Sequence, residues 1–541
     1  MGIVGPMQPT TTTAAPAEPS ASRGDAAPRR IVGALLGILS GAVALGVAEL
    51  MAGVIGGASS PVLAVGSSFI DATPEWLKSF AIRTFGSNDK TALLAGIGVF
   101  LLIGAVVLGI ASVRRAWLGV AGLVAFGAVG VAAAVTRPAN GPVDAIPSIV
   151  GAAAGLGAYL ILRRAAGLPR REPHAAEAKS NPPPPPAFDR RRFMWTGIVA
   201  GGVALTGAKA GQWLIRRADA TASREALGVP TAVDPAAPIP AGAQLDVPGI
   251  GPFVTPNDRF YRVDTALFVP SVSADAWTLK VHGLVDREIT LNYDQLVARP
   301  LIERDITLTC VSNEVGGRYL GNARWIGAPL KDLLEEAGVR SDATQLVSTS
   351  TDGFTAGTPV AVAMDGRDAM LAVSMNGEPL PIEHGFPVRM IVPGLYGYVS
   401  ATKWIADIEL TTFEAFDPYW AKREWAKQAP IKTESRIDTP RAKAELGAGE
   451  VAVAGVAWAQ HRGIDKVEVQ VDGGAWLPAE LGEEATIDTW RQWVFRWPAT
   501  PGRHTIAVRA TDGTGEIQTA EQADPFPNGA TGDHTIEVNV A

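Results

Sequence analysis

Cysteine is almost absent: the 541-residue chain holds one, Cys310. A single thiol excludes an intramolecular disulfide, a cysteine-based zinc site, a four-cysteine iron–sulfur cluster and a C-x-x-C-H haem attachment site. Histidine is scarce too, six in all, and the first is His174. His174 lies in a polar linker, so the apolar runs of the N-terminal half lack the usual axial ligand of a b-type haem. Basic charge is short in the C-terminal half. Residues 218–541 carry 27 Lys and Arg against 44 Asp and Glu, whereas residues 1–217 carry 20 against 10. An acidic surface repels a phosphate backbone, which excludes nucleic acid as a partner of that half. The length excludes a single core, since domains run to roughly 100–200 residues.

Long apolar runs fill the first 217 residues, at about 31–57, 91–113, 116–135, 145–162 and 196–215. Each approaches the roughly 20 residues that cross a bilayer. Arg29 and Arg30 precede the first run, Arg114 and Arg115 separate the second and third, and Arg163, Arg164, Arg170 and Arg171 follow the fourth. Five spans with the N-terminus inside place all three clusters in the cytoplasm and the C-terminal region outside. Arg216 and Arg217 then fall on the outer side, against the rule. Residues 1–28 read as a disordered tail. The loop of about 58–90, with Trp76 and Phe80, reads as an outer interfacial segment. Glu49 and Lys209 lie within runs, which makes them functional candidates; a helix-end position for the first and a snorkelling side chain or helix contact for the second is the favoured reading. Gly197-x-x-x-Gly201 and Gly207-x-x-x-Gly211 have the spacing of close helix packing.

A stiff proline run, Pro182 to Pro186, leads into Asp189-Arg190-Arg191-Arg192-Phe193-Met194 just before the fifth run. Two arginines, a spacer, Phe and a large aliphatic resemble a twin-arginine export signal, a route for folded, cofactor-loaded proteins. Ordinary positive-inside charge is the alternative. Ala218-Asp219-Ala220 offers a cleavage site, with retention as an anchor the other outcome.

Beyond a Pro/Ala-rich connector the pattern turns to mixed strand and helix. Trp277 to Gly283 alternates as a strand, Asp305 to Cys310 forms another, and Arg389 to Val392 a third, closed by Pro393-Gly394. A helix starts after Pro329 and stops near Gly338. From about residue 430, Lys466 to Val471 before Asp472-Gly473 and His504 to Ala510 before Asp512-Gly513 read as β-hairpin strands. Trp458, Trp490, Trp493 and Trp497 read as core, and His461, His504 and His534 as surface or packing residues.

Thr307-Leu308-Thr309-Cys310-Val311-Ser312-Asn313 resembles the metal-ligand segment of the sulfite oxidase family of molybdenum enzymes. Gly321 to Gly327, His384-Gly385-Phe386-Pro387-Val388-Arg389, Val392-Pro393-Gly394 and Lys403-Trp404 follow in the family's order, and Pro256 to Arg262 resembles its entry segment. The resemblance covers about 245–420, and the remainder resembles the immunoglobulin-like dimerisation domain that often follows. It implies a Mo-molybdopterin cofactor with Cys310 as the protein's metal ligand. A pterin dithiolene supplies the other sulfurs, so one cysteine suffices. It further implies cofactor contacts from Tyr261, Arg262, His384, Arg389 and Lys403, and from Ser400 or, with one extra residue in that stretch, Thr402. Thiolate suits a transition metal, and Arg and Lys suit a phosphate.

The departures concern substrate. Relatives that oxidise sulfite carry an arginine shortly after the cysteine, where this chain has Asn313-Glu314-Val315-Gly316-Gly317 and no base before Arg318. Another arginine falls where this chain reads Leu395 to Ser400, and Phe354 stands in place of a tyrosine beside the metal. A dianion needs positive donors, and Glu314 opposes it. Catalytic candidates are thus Cys310, Phe354 and Glu314, with a neutral or cationic small-molecule substrate such as a sulfoxide.

The resulting expectation is a multidomain chain: a tail (1–28), an α-helical transmembrane bundle (29–165), a linker (166–192) and a fifth helix (193–217). A second linker (218–243) precedes an α+β molybdopterin-binding domain (244–425) and an all-β immunoglobulin-like sandwich (430–541). The chain reads as a membrane-anchored extracytoplasmic oxidoreductase, a homodimer through its last domain, with a separate protein or a quinone as electron partner. The rival reading is a non-catalytic interaction module that keeps the fold.

Overall fold

The computed structural model describes residues 26–55, 59–74, 89–136, 141–168, 189–217, 220–266 and 269–541. The tail up to residue 25, Trp76 and Phe80, the proline run, and Ala218 and Asp219 lie outside the described residues. The chain forms two compact units that divide between Leu214 and Ile215.

The first unit is helical: α1 (Ala26–Ile55), α2 (Pro61–Ala72), α3 (Asp89–Arg114), α4 (Ala116–Val135), α5 (Ile146–Ala165) and α6 (Arg190–Arg217). Four stretches among the described residues, Arg29–Ile55, Ala92–Arg114, Ala116–Val135 and Pro142–Ala165, are long and apolar enough to cross a membrane. The fifth expected span differs. At 28 residues, α6 is about 42 Å long at 1.5 Å per residue, but Gly, Thr and Lys209 dilute its apolar character and it is not among the four.

Its glycines give it another property. A Cβ on Gly207 would lie 2.7 Å from the Gly46 carbonyl oxygen, and one on Gly211 only 2.3 Å from that of Glu49. The backbone of α6 therefore meets that of α1 where neither glycine tolerates a side chain. The other spaced pair does not do this: a Cβ on Gly201 would meet nothing within 4 Å. Between α1 and α3 the same device recurs, with a Cβ on Gly37 falling 1.9 Å from the Ala105 oxygen. Close backbone approach is what associates helices where lipid removes the hydrophobic drive. Glu49 is tied locally, its carboxylate accepting a hydrogen bond from Ser60 Oγ at 2.6 Å. Lys209 is exposed on α6, as a snorkelling side chain requires.

The second unit opens with α7 (Ala220–Ala226), whose Arg224 Nε donates to the Leu380 carbonyl at 2.8 Å. The central region is mostly β. Its strands are β1 (Thr278–Gly283), β2 (Ile289–Asn292), β3 (Ile302–Thr309), β4 (Leu320–Pro329), β5 (Gln345–Ser350), β6 (Thr355–Pro359), β7 (Met370–Met375), β8 (Glu378–Pro379), β9 (Arg389–Ile391) and β10 (Ile405–Thr411). One sheet has the order β2-β1-β10-β5-β6; the other runs β3-β4-β7-β8, with β9 also on β7. Between β4 and β5 lies helix α8 (Leu330–Ala337). Leu330, Leu333, Leu334 and Ala337 bury one face, and Gly338 ends the helix at φ +70°. A one-turn helix, α9 (Gly397–Ser400), precedes β10.

The C-terminal region is all β: β11 (Glu434–Thr439), β12 (Glu445–Leu446), β13 (Gly449–Trp458), β14 (Ile464–Val471), β15 (Leu477–Pro478), β16 (Glu480–Leu481), β17 (Arg491–Ala499), β18 (Gly502–Asp512) and β19 (His534–Val540). Sheets β11-β13-β17-β16 and β12-β19-β18-β14-β15 enclose a core that includes Val453, Trp493, Trp497 and Val508. Trp458 and Trp490 instead join the core of the central region, so the two regions are packed through aromatic side chains.

The helix packing yields a contrast. Gly211→Leu should lower the thermal unfolding midpoint of the detergent-solubilised chain by several degrees, a loss of about 1–3 kcal/mol from overpacking. Gly201→Leu, placed in open space, should leave it unchanged in the same melt.

Candidate active site

β3 delivers Cys310 to the end of its sheet. The Cys310 N–H donates to the Tyr319 carbonyl at 2.9 Å, the Asn313 N–H donates back to the Cys310 carbonyl at 3.0 Å, and Asn313 Oδ1 accepts the Tyr319 N–H at 2.8 Å. The loop after the thiol is thus closed on itself. The residue is 8% exposed. Burial pushes the thiol pKa up, against the opposing pull of Ser312 and the Lys403 charge.

Positive charge gathers around it. Arg389, on β9, is 5% exposed. Its Nη1 donates to the His384 carbonyl at 3.1 Å and its Nη2 to that of Ala401 at 3.3 Å, with the guanidinium 5.2 Å from the centroid of the Trp325 ring. Its Nε has no hydrogen-bond partner among the described residues. Burial pulls its pKa down to about 10. Lys403 Nζ reaches Asp264 at 2.8 Å and the Glu383 carbonyl at 3.2 Å, and lies 4.8 Å from the Trp404 ring centroid. Burial outweighs the Asp264 charge and lowers the Lys403 pKa to about 8. Arg262 shares the same carboxylate, its Nε 2.9 Å from Asp264.

His384 is buried and its pKa falls to about 4, from burial first and then the Arg389 charge. It is therefore neutral at pH 7, and its Nε2, 3.1 Å from the Asn257 carbonyl, is the donor. Tyr261 stacks on Phe260 at 5.3 Å, and burial raises its hydroxyl pKa while the Arg389 charge pulls it the other way. A Cβ on Gly397 would stand 3.8 Å from the Tyr261 hydroxyl and 3.7 Å from the Thr309 carbonyl, so α9 meets the cysteine strand and the entry segment together.

Cys310, Tyr261, His384, Arg389 and Lys403 are brought together, with Arg262 at the rim. Ser400 and Thr402 are buried nearby, but their hydroxyls are engaged. Ser400 Oγ donates to the Leu395 and Tyr396 carbonyls at 2.9 and 3.0 Å, and Thr402 Oγ1 pairs with Ser348 Oγ at 2.7 Å. Phe354 lies on the β5–β6 hairpin against Tyr419, with ring centroids 5.8 Å apart, and Glu314 is exposed in the loop after the cysteine. Among the described residues, neither shows a contact with the cationic group.

The sequence reading missed Asp264, the shared anion; the role of Trp325 as the surface on which Arg389 rests; and the buried hydroxyls of Ser350 and Thr351, which have no hydrogen-bond partner among the described residues and lie next to the Trp404 backbone. Asp264 could have been found two residues after Arg262. The others carry no local signal, because strands distant in sequence bring them in.

The residues fit a phosphate-bearing cofactor. Arg389, Lys403 and Arg262 bring three positive charges against the single carboxylate of Asp264, and Arg389 holds a buried donor in reserve. Buried unpaired donors cost folding energy and are kept where a ligand completes them. The adjacent thiol suits a soft metal.

Comparison with known proteins agrees. Residues 266–420 match the family described as "Oxidoreductase molybdopterin binding domain". Sulfite oxidase of Rattus norvegicus is 31% identical over 49% of this chain and 57% of its own length, so the chain spans little more than half of the curated sulfite oxidases it matches. The uncharacterized oxidoreductase YuiH of Bacillus subtilis is 35% identical over 27% of this chain and 70% of its own. Among solved structures, the sulfane dehydrogenase SoxCD of Paracoccus pantotrophus aligns over 52% of this chain and 80% of its own at 23% identity and TM-score 0.46. Fold region, thiol and cationic cradle define a molybdopterin-binding oxidoreductase domain. The chain belongs to the sulfite oxidase family, and its cofactor is Mo-molybdopterin.

Arg389 separates folding from loading. Arg389→Met should leave the unfolding midpoint of the cofactor-free chain at or above that of the parent, because a buried unpaired charge is removed. Bound pterin, measured by fluorescence after oxidative release, should fall at least about tenfold, the equivalent of one lost charge-assisted bond.

Proposed function

We propose that the chain is a membrane-anchored extracytoplasmic oxidoreductase that transfers an oxo group, with two electrons, to or from a small substrate other than sulfite. The supporting observation is the unpartnered Arg389 Nε within a cationic cradle beside the chain's one thiol. When bound, the cofactor supplies the oxo-transfer chemistry, and the protein supplies position and electrostatics.

Cys310 would be the protein's metal ligand. Burial pushes its thiol pKa up, and a metal bound there would take the sulfur as thiolate, its proton passing to solvent. Arg389 and Lys403 would hold the phosphate, with Arg262 at its edge. His384, fixed by Asn257, would offer hydrogen bonds to the pterin, as would Tyr261. Ser400 or Thr402 would line the same wall. Phe354 would stand over the substrate path.

The substrate reading rests on the loop after Cys310. Glu314 and Arg318 are both exposed there. Arg436 reaches this loop from β11 but is spent on the Gly317 carbonyl at 2.8 Å and Asp438 at 2.7 Å. No free base is thereby provided by that side chain's Nη1 or Nε for a dianion. A neutral or cationic acceptor such as a sulfoxide fits better.

The helices support the proposed location. Retention of α6 as an anchor is supported by Phe193, buried in the helical core, and by the Gly207 and Gly211 contacts with α1. Ala220, at the end of the candidate cleavage site, is fully buried and its N–H donates to Ser271 Oγ at 2.7 Å. The exposed Arg190 and Arg191 remain available as an export signal. The immunoglobulin-like region would make a homodimer, and a redox protein or a quinone would exchange the electrons.

Cys310→Ser should fold and lose turnover, since an oxygen ligand is harder and less readily ionised than sulfur. Circular dichroism and dye-linked turnover of the loaded protein check this; full activity in the Ser variant would sink the assignment. With the parent enzyme, sulfite should be a poor substrate. Each missing charge-assisted bond is worth about 1.5–3 kcal/mol, roughly tenfold to more than a hundredfold in affinity. A dye-linked assay of sulfite against sulfoxides decides the point, and efficient sulfite oxidation would end this substrate reading.

A further inference from the structure

β3 is an edge strand, first in the order β3-β4-β7-β8. The outer edge of such a strand presents unpaired N–H and C=O groups; here Asp234 pairs with the start of the strand at Ile302 and Glu303, and the C-terminal β region completes the end nearest Cys310. Gln460 Nε2 donates to the Thr307 carbonyl at 3.0 Å and to Thr309 Oγ1 at 2.9 Å. The Thr307 N–H donates to the Asp488 carbonyl at 2.9 Å, and Thr307 Oγ1 accepts the Trp490 N–H at 2.8 Å. These contacts fix the three residues that lead into Cys310.

A second set fixes the loop on the far side of the thiol. Arg436 Nη1 holds the Gly317 carbonyl at 2.8 Å. The His534 ring lies flush on Gly316, where a Cβ would come within 2.3 Å of Nε2 and Cδ2, and its Nδ1 accepts the Ile437 N–H at 3.0 Å. Gly316 has φ +72°, so neither its conformation nor its space admits a side chain. Gln460, Arg436 and His534 are far from the cationic cradle in sequence, and these contacts run to the cysteine segment instead.

We infer that the C-terminal β region positions Cys310. Gln460 holds the strand before the thiol, Arg436 and His534 hold the loop behind it, and the sulfur's place beside the cradle depends on both. They are positioning residues, since they act on Cys310 through the strand and the loop that carry it. The consequence for the loaded enzyme rests on Cys310 being the metal ligand; the positioning itself does not.

Cys310 is the chain's only cysteine, so a thiol reagent reports on one place. In the full chain made without cofactor, Arg436→Ala and Gln460→Leu should each speed alkylation by iodoacetamide at least about tenfold, which corresponds to about 1.4 kcal/mol. Circular dichroism should stay unchanged, and Arg436→Lys, which keeps a donor, should restore a rate closer to the parent's. In molybdenum-loaded protein the Ala and Leu variants should shift the electron paramagnetic resonance signal. If Gln460→Leu does not fold, faster amide exchange across residues 302–320 in Arg436→Ala serves in its place. Parental alkylation and exchange rates in folded Arg436→Ala would overturn the inference. Unaltered metal spectra in Cys310→Ser would overturn the ligand reading alone, leaving the thiol result standing.

Discussion

Arg389 keeps a guanidinium at 5% exposure with two carbonyls and an indole face for company. Moving an ion out of water costs several kcal/mol unless an opposite charge compensates, and no carboxylate among the described residues is bonded to this one. Three separate stretches must therefore be held in place to keep it solvated by protein. They are β4, which carries Trp325; the turn at His384; and the segment from α9 to Ala401. Burial is likewise the first cause of the depressed Lys403 pKa, with the like charges of Arg389 and Arg262 adding to it. A phosphate held there as proposed would offset that charge, and would then stabilise the cradle that binds it.

Much of this domain was legible because local rules and global packing agree. The helix after Pro329 carries its apolar stripe at helical spacing and stops at a glycine in the left-handed region. The strand into Cys310 and the run from Arg389 stand where alternation and composition put them. Tyr261, His384 and Lys403 came with motifs whose order alone carried information. Ser350 and Thr351 did not, and although Trp325 lies within the Gly321 to Gly327 motif its role was not legible, since a strand tryptophan is ordinarily core and nothing near it in sequence names its guest. His534 read as a packing residue, and it is one, yet what it packs against is the loop behind the thiol. That contact joins positions more than 200 residues apart, beyond the reach of periodicity.

The helical unit teaches the converse. Hydropathy finds four helices among its described residues and passes over α6, whose value lies in what its glycines omit. Small residues score poorly as apolar matter and well as contact surface, so a transfer scale underrates a helix that is held by its neighbours.

One thiol without a second would carry a chemical cost in an oxidising compartment. A sulfenic acid formed at Cys310 has no resolving cysteine in its own chain to trap it as a disulfide, so further oxidation runs to forms that are not readily reversed. Burial slows the first step by keeping the sulfur protonated and covered. The empty protein is thus the vulnerable one, and its lifetime in an oxidising compartment is set by how seldom the residues covering Cys310 part.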